Sequence, residues 1–339
     1  MMELNQRKPE FNNLLKVLKC EVSERPVLFE LFMNQNYYNR LAGREPIDNS
    51  ELEILKVVVD AYAAAGYDYA STHACSMEFK TVQKSHKMTL NLNEGSTIYD
   101  RDSFNAYDWP NPDDFDYSKL EKIEEYLPDN MKLMTMGPGG VLENVTWLVG
   151  FDNLCYMLFE DPDLVQDIFD AVGSRLARYY ENAVKYNSVG FIASNDDWGY
   201  NTQTFLSLND MRKYVFPWHK KIVEIAHNAG KPAILHSCGY MVDVMDDIIN
   251  NMKYDGKHSF EDNILSVEKS YERWGGKIAI LGGIDFDFLA RSSFDKIQER
   301  CRNMLKLTSE KGGYALGSGN SIPEYIPYEN YLSMISCTK

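Results

Sequence analysis

Short apolar runs, separated by amphipathic stretches, recur along the whole chain. The runs are PVLFELF (26–32), YDYAST (67–72), MKLMTMG (131–137), GFIASND (190–196), KPAILHSC (231–238), DGKHSFE (255–261), KIAILGGID (277–285) and GYALGSG (313–319). Their length and β-rich character predict strands. Most of the segments between them read as helices. NSELEILKVVVDAYAAAG (49–66) opens on Asn-Ser and closes on glycine, as a capped helix does. Ser207-Leu-Asn-Asp210 has the form of a capping box and opens a helix that kinks at Pro217 and stops at Gly230. Strand–helix alternation of this kind predicts a parallel sheet, and eight strands close most simply into an α/β (β/α)8 TIM barrel. A doubly wound open sheet is the alternative. Segments 33–66 and 73–130 add helical and loop elaborations near the N-terminus. Within the second, the aromatic tract IYDRDSFNAYDWPNPDDFDY (98–117) is expected to form a long loop partly covering one face.

Composition narrows the function more than the fold. The chain has 339 residues, 44% hydrophobic and 25% charged, within the size of one barrel domain spanning residues 1–339. A net charge of −15, with no cluster of Lys or Arg, argues against a nucleic-acid partner. No stretch is apolar enough for a membrane helix and the N-terminus lacks the pattern of a signal peptide. Six scattered cysteines do not form a disulfide framework. A cytoplasmic protein is expected.

In a TIM barrel the reactive groups stand at the C-terminal ends of the strands. Here those ends carry Glu30, His73, Gly137-Pro138, Asn195-Asp196-Asp197, His236 and Cys238, Glu261, Asp285, and Ser318 with Asn320. Any single polar end can be a strand reaching water; eight together point to a site on one rim. His236 and Cys238 are two apart, so a strand projects both to one side. An imidazole and a thiolate on one face can ligate Zn²⁺; the same pair can also be a buried thiol beside a hydrogen-bonded histidine. The metal alternative needs a third ligand. Cys301 sits in a helical pattern and Cys337 near the terminus, whereas Glu261 ends the next strand.

The segment DDWGYNTQTFLSLNDMRKYVFPWHKKIVEIAHNAGKPAILHSCG, with LGGID (281–285) and GSGNSIPEYIPYENYLSMI (317–335), resembles the uroporphyrinogen decarboxylase superfamily. The resemblance is clear over roughly residues 185–335, and that superfamily is built on the (β/α)8 barrel. Its decarboxylase branch carries an arginine-rich motif after the first strand. Here that stretch is LFELFMNQNYYNRLAG, and the nearby arginines are only Arg40 and Arg44. Its corrinoid-dependent methyltransferase branch carries a zinc-binding His-x-Cys, matched by His236 and Cys238, and a later cysteine, where this chain has Ser318. The cobalamin-independent methionine synthases, which are more distantly similar, complete the zinc site with a glutamate at the place of Glu261. The resemblance thus implies a zinc site of His236, Cys238 and Glu261 with an open fourth position. Replacing one sulfur with carboxylate hardens the ion and favours an oxygen donor there.

The function implied is a zinc-dependent methyltransferase of an O-demethylase. It would move a methyl group from a small methylated substrate, an aryl methyl ether, to the Co(I) corrinoid (cobalamin) of a partner protein. The alternatives are a decarboxylase of the uroporphyrinogen type, a methylcorrinoid:thiol methyltransferase and a barrel that binds a ligand without turning it over. Asp196 and Asp197 are the candidate catalytic acids, against the alternative of a turn and helix cap. Strand alternation lets at most one of them face the site. Glu30, Tyr200 and Asn320 are expected to contact substrate, with Glu30 also a possible further ligand. His73 and His258 are expected in supporting or structural places, and Asp285 in a strand-end turn.

Overall fold

The computed structural model describes residues 7–81 and 97–338. Eight parallel strands form one sheet: β1 (Val27–Leu28), β2 (Tyr69–His73), β3 (Lys132–Met136), β4 (Val189–Asn195), β5 (Ala233–His236), β6 (Gly256–His258), β7 (Ala279–Leu281) and β8 (Tyr314–Leu316). Their order is β1-β8-β7-β6-β5-β4-β3-β2, with helices between them. This is the (β/α)8 TIM-barrel fold. Each expected run overlaps a strand, and most strands are shorter than their runs, because several runs continue as polar rim segments. Among the described residues no helix is long and apolar enough to cross a membrane.

The sheet curls until β1 and β2 face each other, and side chains join that seam. The Tyr69 hydroxyl accepts from the Glu30 amide at 2.8 Å and donates to the Glu30 carbonyl at 2.5 Å. The Tyr62 hydroxyl, from the helix Glu51–Ala65, meets Ser71 Oγ at 2.9 Å. That helix begins at Ser50 and ends before Gly66 in a left-handed conformation, as its sequence pattern predicts. The N-terminal helix Phe11–Leu18 packs on the barrel, with the Phe11 ring 5.9 Å from that of Phe191.

Two expectations change. The bend at Pro217 is a wide turn of helix over Met211–Val215, where the ring's missing N–H is absorbed before the regular helix Phe216–Asn228. The aromatic tract is not one long loop. It forms the helix Arg101–Ala106 and a turn at Pro112–Asp114. It lies along the long helix Pro162–Ala183, where Arg175 donates to the Pro110 carbonyl and Arg178 pairs with Asp113 at 2.8 Å. Arg101, Pro110 and Asp113 of the tract are satisfied by that outer helix. Residues 82–96, also in the expected elaboration, lie outside the described residues.

Candidate metal centre at the barrel rim

Register decides which side chains meet. Asn195 of β4 pairs with His236 of β5, and His236 pairs with His258 of β6. Parallel partners point the same way, so these three share one face. Ser194 and Asp196 face outward, since both reach His219 of the helix Phe216–Asn228, at 3.2 and 2.8 Å. Asn195 and, one step beyond, Asp197 and Cys238 therefore face the barrel interior. Ligand atoms of Asp197, His236 and Cys238 lie within 4.8 Å of one another. The loops after β4 and β5 are tied together to hold them there: the Tyr240 amide donates to the Tyr200 carbonyl at 2.7 Å, and Cys238 N donates to Asp197 Oδ1 at 2.8 Å. This approach requires Gly239, because a Cβ there would stand 2.1 Å from the Gly199 carbonyl oxygen.

A chain of hydrogen bonds assigns the histidine protons. His258 Nε2 lies 3.3 Å from the Ser318 carbonyl, which can only accept, so Nε2 carries the proton. Burial, then His236 and Lys257, push the His258 pKa well below its usual value, so its Nδ1 is bare. His236 Nδ1, 2.9 Å away, must then donate to it. Burial first, with Lys257 adding, takes His236 down to about 4 while Asp197 opposes. His236 is thus neutral at pH 7, with the Nε2 lone pair facing Cys238 Sγ at 3.7 Å. The imidazole is thereby held with a lone pair free to serve as a ligand.

The sulfur is surrounded by donors. Asn320 Nδ2 reaches Sγ at 3.1 Å and Ser259 Oγ at 3.4 Å, an environment that suits a thiolate. Burial and the Asp197 carboxylate nevertheless push the Cys238 pKa up, so the thiolate needs a cation. A neutral imidazole nitrogen, a sulfur and a carboxylate converge, and this donor set fits Zn²⁺.

The expected site residues divide in the structure. His236 and Cys238 come together as expected, but Asp197, not Glu261, joins them. The strand β6 ends at His258, and Ser259 turns left-handed at φ 80°, so alternation does not carry Glu261 inward. Its carboxylate instead accepts from Gly239 N at 3.4 Å. Asp196 is fully buried and saturated: it accepts from Leu142 N, Glu143 N, Trp198 Nε1 and His219 Nε2 at 2.8–3.0 Å. It caps the helix Val141–Val149 rather than facing a substrate. A Cβ at Gly140 would lie 2.1 Å from it, which is why that helix begins with glycine. Glu30 is also fully buried, with Ser318 N and Oγ at 2.8 and 2.6 Å. Ser318 Oγ also reaches the Asn320 carbonyl and so supports that turn. Asn320 touches the sulfur, and Tyr200 is half-exposed on the rim with its ring against Phe205. Asp285 caps the helix Phe286–Arg291.

Sequence reasoning missed Glu143. Its carboxyl accepts from Gly140 N at 2.8 Å, and burial with the nearby Asp196 and Asp197 raises its pKa. The signal was the glycine-rich turn followed by a glutamate in the first helical turn, GPGGVLE. Beyond β1, β2 and β3 a cavity of about 350 Å³ opens on the same rim, lined by Phe32, Met33, Tyr38, Ile54, His73 and Met136 among others.

Two outcomes follow for measurement. His258→Phe keeps a ring beside Phe29, 4.9 Å away, but removes the acceptor for His236. Zinc affinity should fall roughly 10- to 100-fold in chelator competition; unchanged affinity would refute the proton assignment. Burial raises Glu30 to about 8, so between pH 4.5 and 8 the folded state holds a proton that the unfolded state releases. Stability from this group is full at the acid end and lost as pH rises to 8. Glu30→Gln should flatten the decline in unfolding free energy by up to about 1.4 kcal/mol per pH unit. An unaltered slope in denaturant titrations would contradict this.

Comparison with known proteins places the chain. A family model described as uroporphyrinogen decarboxylase matches residues 113–339. No curated protein sequence matches significantly. Among solved structures, a methyltransferase from Methanosarcina mazei is 15% identical, covers 98% of both chains and superposes with a TM-score of 0.70. A putative vitamin-B12-independent methionine synthase from Listeria monocytogenes is 11% identical over 98% of this chain and 96% of its own, with a TM-score of 0.46. An intracellular xylanase from Thermoanaerobacterium saccharolyticum, 12% identical over 96% and 92%, scores 0.44. At these identities the likeness is one of fold. That family model matches more than half of the chain, and the chain therefore belongs to the uroporphyrinogen decarboxylase family.

Proposed function

We propose that the protein is a zinc-dependent methyltransferase that passes a methyl group from a small methylated substrate to the Co(I) corrinoid of a partner protein. The observation that carries this reading is the convergence of Asp197, His236 and Cys238 at the barrel rim, with the imidazole lone pair directed inward and two donors on the sulfur. These three residues would hold the ion. Bound there, zinc supplies Lewis acidity to the heteroatom that releases the methyl group. Neutral His with Cys⁻ and Asp⁻ balances the charge of Zn²⁺, and the carboxylate makes the centre harder than two thiolates would. An oxygen leaving group is therefore favoured, as in an aryl methyl ether. The likeness to the Methanosarcina mazei methyltransferase over 98% of both chains supports the assignment.

The rest of the rim suits such a substrate. The cavity lined by Phe32, Met33, Tyr38, Ile54 and Met136 can take a small apolar body. Polycarboxylate recognition is disfavoured because the arginines after β1 are engaged. Arg40 stacks 3.6 Å over Tyr328 and pairs with Glu329, and Arg44 bonds Glu53 and Asp60 at 2.6 and 2.8 Å. In the reaction the C–O bond breaks with its electron pair left on oxygen, the carbon bonds to cobalt, and Co(I) becomes methyl-Co(III). The departing oxygen then takes a proton from solvent or a rim acid. Asn320 and Ser259 hold the sulfur, and His258 holds the imidazole, throughout.

The test is the visible-spectrum change from Co(I) to methyl-Co(III) with free cobalamin or a corrinoid protein and a panel of methyl ethers, methylamines and methyl thioethers. A methyl ether should react, and zinc removal should abolish transfer without unfolding the barrel. Failure of every donor, together with metal-free decarboxylation of a porphyrinogen, would overturn the proposal.

A further inference from the structure

Behind Cys238, on the outer face of β6, stands a lysine that the chemistry above does not use. Lys257 is buried, with 2% of its surface exposed. Alternation directs it away from the barrel interior, into a small cavity of about 20 Å³ bordered by Met241, Met245, Leu265 and Trp274, with Ser259 and Glu261 also on its wall. Among the described residues no carboxylate pairs with it. Its ammonium instead donates to the Ser259 carbonyl and lies 4.3 Å over the Phe260 ring. Removing a cation from water without an ion-pair partner is costly. Such a group persists where it holds something in place.

What it grips is a strained turn. Ser259 has φ 80°, a left-handed conformation that costs a residue with a Cβ on the order of 1 kcal/mol or more. The turn ends β6 and swings the Ser259 hydroxyl to 3.4 Å from Cys238 Sγ. Backbone contact between the strands also closes here, with Ser237 N donating to the His258 carbonyl at 3.4 Å. One charged hydrogen bond to the Ser259 carbonyl therefore stands behind the direction of the hydroxyl on the sulfur. Burial pushes the Lys257 pKa down, and Cys238, Glu261 and Asp197 oppose that shift through the strand.

We propose that Lys257 is a positioning residue for Cys238: by holding the Ser259 turn it aims the Ser259 hydroxyl at the sulfur, and so sets how tightly and with what bond character that sulfur holds a metal ion. This rests on the reading of Asp197, His236 and Cys238 as a metal site, and it extends that site to a residue on the opposite face of the strand. Supporting residues that orient a ligand commonly change metal affinity 10- to 100-fold.

The experiment titrates Co²⁺ into metal-free wild-type protein, Lys257→Met and Ser259→Ala, following the thiolate-to-cobalt absorption band. Both variants should bind Co²⁺ roughly 10-fold more weakly and with a shifted band. The double variant should be no worse than the weaker single one, because both changes remove one connected interaction. A role confined to stability would lower the melting temperature of Lys257→Met and leave affinity and spectrum alone. That result, or wild-type cobalt binding by Ser259→Ala, overturns the proposal while sparing the metal site. If wild-type protein itself gives no thiolate band, the metal site is wrong and this proposal falls with it.

Discussion

The pairing of β4, β5 and β6 places Asn195, His236 and His258 side by side on one face of the sheet, and the rim chemistry is built on that register. A shift of one residue would send His236 outward to the helices and bring Ser237 inward. With the register as it stands, His258 reaches the Ser318 carbonyl on one side and His236 on the other. Proton positions then propagate from a backbone carbonyl to the lone pair that faces Cys238. Two rings buried in an apolar barrel stay neutral, and that neutrality leaves one of them able to act as a ligand.

The outward side of the same strands carries a second polar system, and it is structural. Asp196 joins the first turn of the helix Val141–Val149 to Trp198 and His219, and His219 meets the Tyr254 hydroxyl at 2.7 Å. A buried carboxylate is tolerated because four donors converge on it. The adjacent Asp197 has the opposite task, facing the interior with a backbone donor from Cys238. Two aspartates neighbouring in sequence thus serve the helix layer and the rim separately.

Much of this was legible in the sequence because strand alternation is simple physics. The apolar runs marked all eight strands, and the two-residue spacing of His236 and Cys238 placed them together. The same rule split Asp196 from Asp197 without saying which one faced inward. It failed at Glu261 because strand geometry ends at His258, and the left-handed turn at Ser259 is invisible in DGKHSFE, where serine usually avoids such a conformation. Glu30 looked like a rim acid, but its burial against Ser318 depends on contacts across nearly the whole chain. Glu143 needed the close approach of Gly140 to Asp196, a tertiary fact.

Whether Asp197, His236 and Cys238 hold the ion is decided by zinc content measured on three proteins. Untagged wild-type protein, Asp197→Ala and Glu261→Ala are purified in parallel and their zinc is determined by elemental analysis after dialysis against a weak chelator. The account predicts about one zinc per chain in the wild type and in Glu261→Ala, with the metal lost from Asp197→Ala. Zinc retained by Asp197→Ala and lost from Glu261→Ala would contradict it.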